Sequence, residues 1–163
     1  MIRDLLLIPL FFMSALLQLA VLQSFTPPFS FFPAHFLMGV LVMHRRGPEI
    51  GAVWFLGSAI LLPIFGFDPV PWYAYVFIAI IGVLFSTRLF TNRSVYALQG
   101  LALTLYSIVL ICTSIRTPGF LSVQQMVFMS LFVLLLSYLG FLVAKGIEAA
   151  LERLFLTKFS HDA

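Results

Sequence analysis

Charge is what this chain has least of: nine Lys and Arg and six Asp and Glu, 9% of 163 residues. So few charged side chains cannot cover the surface of a soluble domain of this length. Cysteine is nearly missing as well. Cys112 stands alone in an apolar run, which excludes a disulfide, a cysteine zinc site and paired-cysteine haem attachment within the monomer. The Lys and Arg come singly or in pairs rather than as a basic patch, so a nucleic-acid partner is not expected. His35, His44 and His161 lack metal-ligand spacing, and Asp4, Glu49, Asp68, Glu148, Glu152 and Asp162 are scattered so that no two share a site. No metal, cofactor or catalytic group is expected.

What the chain does have is apolar length. It is 62% hydrophobic and 16% aromatic, with a mean hydropathy of +1.11. Disorder needs the opposite composition, so the expected solvent is lipid. A helix crossing about 30 Å of hydrocarbon needs roughly 20 apolar residues, fewer where flanks snorkel. Six runs approach that length: Leu5 to Leu22, Pro28 to Met43, Ile50 to Phe65, Trp72 to Phe85, Val95 to Ile115 and Val123 to Ala144. The first lacks a small-residue cleavage site and is kept as a helix rather than a leader. A re-entrant hairpin of the second and third runs would place Arg45 and Arg46 at membrane depth, at about 2.5 kcal/mol or more each, so both are read as spanning.

Six crossings put Arg3, Arg45, Arg46, Arg88, Arg93, Lys145, Arg153 and Lys158 on one side and Arg116 alone on the other, a division of eight against one. The positive-inside rule then places the richer side in the cytoplasm. The expected fold is therefore all-α, a polytopic six-helix transmembrane bundle over residues 1–145 with both termini inside. Residues 146–163 are expected to form a short amphipathic cytoplasmic tail, with Ile147, Leu151, Leu154 and Phe155 on one helical face. Trp72, Tyr73 and Tyr75 suit an aromatic belt at the outer interface. Asn92-Arg93-Ser94 matches a glycosylation sequon but faces the cytoplasm in this arrangement and is read as chance.

Polar residues inside the runs are Ser14, Gln18, Ser58, Gln99, Thr104, Ser107, Thr113, Ser130 and Ser137. They could line a cavity. Packing is the plainer reading, since Gly100, Thr104 and Ser107 follow a helical small-residue stripe. Gln18 and Gln99 are exceptions, because an amide in hydrocarbon must find a partner in the bundle or on another chain. His35, two residues after Pro33, is expected near the outer interface, as a packing or interfacial residue rather than a ligand.

From Phe31 to Leu110 the order is Phe31-Phe32-Pro33, a short apolar helix, Arg45-Arg46-Gly47-Pro48-Glu49-Ile50-Gly51, then Trp54, Gly57 and a Pro-Gly loop. Arg88-Leu89-Phe90-Thr91-Asn92-Arg93-Ser94 and a long helix follow. This order resembles the MreD family of bacterial rod-shape-determining membrane proteins, and covers about half the chain. The family often carries an acidic residue near the end of its third helix, where Leu61-Leu62-Pro63-Ile64 has none. The resemblance implies a non-enzymatic scaffold of the cell-elongation machinery. It would bind an MreC-type single-span protein and be linked indirectly to the MreB filament and peptidoglycan synthases. The candidate contact residues are His35, Asp68 and Trp72 outside, Arg45, Arg46, Arg88 and Arg93 inside, and Gln18 and Gln99 within the bundle. The alternative is the substrate-binding component of an energy-coupling-factor vitamin transporter, which usually presents an Ala-x-x-x-Ala-like seam. Here Ala15 and Ala20 are five apart, on different faces. Signal peptidase II is of similar size, but its paired aspartates have no counterpart.

Overall fold

The computed structural model describes residues 7–21, 33–65, 70–88, 94–117 and 122–159. Among them are six α-helices and no strand. They are α1 (Leu7–Leu16, continued by a π-helical turn, Leu17–Val21), α2 (Ala34–Arg46), α3 (Pro48–Phe65), α4 (Trp72–Arg88), α5 (Val95–Arg116) and α6 (Val123–Phe159). Two stretches, Val95–Arg116 and Val123–Ile147, are long and apolar enough to cross a membrane, while Leu7–Ala20, Pro48–Ile64 and Trp72–Arg88 are apolar but shorter.

Local sequence chemistry sets most helix ends. Ser94 caps α5, its hydroxyl accepting the Ala97 amide at 3.2 Å. At the start of α6, Ser122 and Gln125 form a reciprocal capping box: the Ser122 amide donates to Gln125 Oε1 at 2.9 Å and the Gln125 amide to Ser122 Oγ at 3.3 Å. The basic turn expected over residues 44–49 shrinks to one residue. Gly47, at φ 118° and ψ 160°, occupies a backbone region open only to glycine, and Pro48 begins α3 at once, where its missing amide hydrogen costs nothing. Residues 146–159, where the amphipathic tail is expected, continue α6 without a break.

A short helix is the centre of the bundle. α2 touches all five others, and Phe36, Val40 and Met43 are buried on it. Neighbouring helices approach it through glycines. A Cβ at Gly39 would lie 2.7 Å from Phe55 and Trp54 side-chain atoms, one at Gly82 would lie 2.8 Å from Met43, and one at Gly51 would strike the Met43 backbone. Leu98, Leu101, Leu105 and Val109 of α5 complete this core. The expected Gly100, Thr104 and Ser107 stripe lies off the deeply buried face of α5. Ser107 is exposed, and the Thr104 and Ser107 hydroxyls each donate to the helix carbonyl four residues back.

Candidate functional site

Four intrahelical polar side chains converge on one point. Ser14 and Gln18 are four apart on α1 and its π turn, as are Trp54 and Ser58 on α3, and a four-residue spacing puts each pair on one helical face. His35 stands between them in the first turn of α2, with 1% of its surface exposed. Its Nδ1 lies 2.8 Å from Ser14 Oγ and its Nε2 2.8 Å from Ser58 Oγ. The imidazole stacks on the Trp54 indole, centroids 5.3 Å apart at 28°, while Phe11 presents an edge-to-face contact at 4.9 Å. Three helices are thus tied together through one ring.

Gln18 solves a different problem at the same place. The first amides of a helix have no partner within it, and Pro33, at the N-cap, offers no side-chain acceptor. Gln18 Oε1 accepts the His35 backbone amide at 3.4 Å, so α1 supplies the cap that α2 lacks. The π turn carrying Gln18 shifts the helical register locally, a distortion that commonly re-aims a side chain.

A proton count constrains the junction. The Ser14 hydroxyl donates to the Phe11 carbonyl at 2.9 Å and the Ser58 hydroxyl to the Trp54 carbonyl at 2.7 Å. With both hydroxyl protons so placed, each serine offers the ring only lone pairs, and both imidazole nitrogens must donate. A neutral imidazole has one donor and one acceptor nitrogen, so one serine must then turn its proton from its helix carbonyl to the ring. The contacts of the imidazole include no acidic group among the described residues, and an unpaired buried charge is costly. The neutral form, with one serine reoriented, is the cheaper arrangement. The buried Trp54 Nε1 has no hydrogen-bond partner among the described residues.

A serine beside a histidine also suggests nucleophilic chemistry, which requires a substrate to reach the hydroxyl. Ser14, His35 and Ser58 are all buried, and none of them lines either of two grooves found among the described residues. One groove, of about 270 Å³, lies between α1 and α3. The other, of about 420 Å³, is lined chiefly by α2 and α6, and Ser137 is its single polar side chain. No group of three His, Cys, Asp or Glu among the described residues is placed to hold a metal ion.

The remaining candidates are spread over the molecule. His35, expected near the outer surface, is enclosed, and Gln18 joins it. Gln99 is half-buried in the second turn of α5. Trp72 opens α4 with 59% of its surface exposed, against Tyr73. Arg45 and Arg46 are half-buried in the last turn of α2, the Arg45 guanidinium lying 4.9 Å over the Phe141 ring of α6. Arg88 ends α4, exposed. Asp68 and Arg93 fall outside the described residues. Sequence reasoning had Ser14 and Ser58 as polar residues without a common centre; the signal that joins them was the four-residue spacing to Gln18 and Trp54. Comparison with protein-family models, curated proteins and solved structures gave no match.

Proposed function

We propose that this chain is a six-span protein of a bacterial cytoplasmic membrane, with both termini inside, acting as a non-enzymatic scaffold of the MreD kind in the cell-elongation machinery. The observation that carries the membrane reading is the eight-to-one division of Lys and Arg about six apolar segments. The helix ends agree with it: Arg45, Arg46 and Arg88 close α2 and α4, and Arg116 closes α5. The scaffold role rests on the ordered motifs between Phe31 and Leu110. The polar junction supports it, since its hydrogen bonds run between helices and hold a shape.

Partner binding on this reading is helix association with an MreC-type single-span protein, and α6 offers the surface. Within Val123–Ile147 only 17% of the most apolar stretch is buried inside the bundle, against 44% within Val95–Arg116. A vitamin-binding transporter component would need polar groups in its cavity, and the two large grooves are almost wholly apolar. Affinity purification of the tagged chain from crosslinked cells tests the scaffold: recovery of a single-span protein with an extracytoplasmic domain is expected, together with loss of rod width on depletion. Unchanged cell outline after depletion, or a tightly bound vitamin in the purified protein, would overturn it.

A further inference from the structure

The groove beside α6 has a length and a charge distribution that choose its occupant. Along α6 its wall runs from Leu136 to Ile147, and those residues rise about 17 Å at 1.5 Å each. A hydrocarbon slab is about 30 Å thick, so the wall matches one leaflet. A spanning partner helix would need nearly twice that wall. The groove is open above Gly140, where an added Cβ would meet nothing within 4 Å. Charge gathers toward one end of the apolar wall. On α2 the last lining residue, Leu41, is followed by Arg45 and Arg46, and on α6 exposed Lys145 stands between the lining residues Ala144 and Ile147. The acidic residues in these two stretches are Glu49 and Glu148, leaving an excess of positive charge.

We propose that the groove between α2 and α6 binds an anionic phospholipid from the leaflet beside Arg45 and Lys145. Its acyl chain lies against Leu41, Leu136 and Gly140, and its phosphate lies between the two cations. Basic pockets between membrane helices suit anionic headgroups. The inference requires that the chain be embedded in a bilayer and is independent of the scaffold role.

Native mass spectrometry of the full chain, titrated with phosphatidylglycerol or phosphatidylcholine, tests it. The wild type is expected to retain phosphatidylglycerol at lower concentration. Arg45→Ala and Lys145→Ala should each weaken that retention about fivefold, with phosphatidylcholine unaffected. Gly140→Trp, filling open space, should abolish retention of both lipids. Should Arg45→Ala fail to fold without its Phe141 contact, exposed Lys145→Ala carries the charge test. Equal retention of the two lipids, unchanged binding in Lys145→Ala, or retention surviving Gly140→Trp would each overturn the proposal. So would a copurifying single-span protein that Gly140→Trp releases and phosphatidylglycerol does not displace.

Discussion

The two sides of α2 differ in kind. Toward α1 and α3 it presents His35, closed in by two serines, a glutamine and two aromatic rings. Toward α6 it presents Leu37, Met38 and Leu41, which line an open apolar groove. Apart from the Trp54 indole nitrogen, the polar groups of this junction sit where the chain itself supplies their partners, and the side left open carries almost nothing that needs one. That division is what lipid as solvent would demand, because an unsatisfied polar group in hydrocarbon has no water to turn to. The glycines divide likewise. Gly39, Gly51 and Gly82 are pressed against neighbouring side chains, whereas Gly140 faces open space.

Substitutions can break or sharpen this contrast. The largest effect belongs to His35→Ala, which removes both side-chain hydrogen bonds from α2 to Ser14 and Ser58 and leaves a void beside Trp54. A loss of about 3 kcal/mol is expected, measured by reversible unfolding in mixed micelles. Gly51→Ala drives a methyl group into the Met43 backbone and should cost about 1–3 kcal/mol in the same assay. Gln18→Leu leaves the first turn of α2 uncapped, for about 1 kcal/mol. Ser14→Ala and Ser58→Ala should each cost about 0.6 kcal/mol. Their double mutant should depart from additivity, because a neutral ring can reassign its donor nitrogen to the serine that remains. Smallest of all is Gly140→Ala, which meets nothing and should stay within about 0.5 kcal/mol of the parent or slightly above it. Comparable losses at Gly51 and Gly140 would erase the distinction between the closed and open sides.

The all-helical class and most helix positions were legible in the sequence, because apolar run length and basic flanks act locally. Pro48 and the glycine before it mark the start of α3 within two residues of the expected position. The demand of Gln18 for a partner was legible too, but the partner was not. His35 lies 17 residues further on, on another helix, and nothing local announces which faces of α1, α2 and α3 will meet. His35 reads from the sequence as a packing or interfacial residue, and which of the two holds could not be told for the same reason. The proline ahead of it suggested an interface, while the packing of α1 and α3 over the first turn of α2 encloses it. On α5 the small-residue stripe misled because Leu98, Leu101 and Leu105, on an adjacent face, are the residues buried in the core.

Which side each turn occupies is the claim on which the proposed function stands, and it can be read directly in intact cells. With Cys112→Ser as background, a membrane-impermeant maleimide should label Thr117→Cys, which follows Arg116, and should reach Glu49→Cys, in the first turn of α3 just after Arg45 and Arg46, only after the cells are opened. Labelling of Glu49→Cys from outside intact cells would contradict the arrangement.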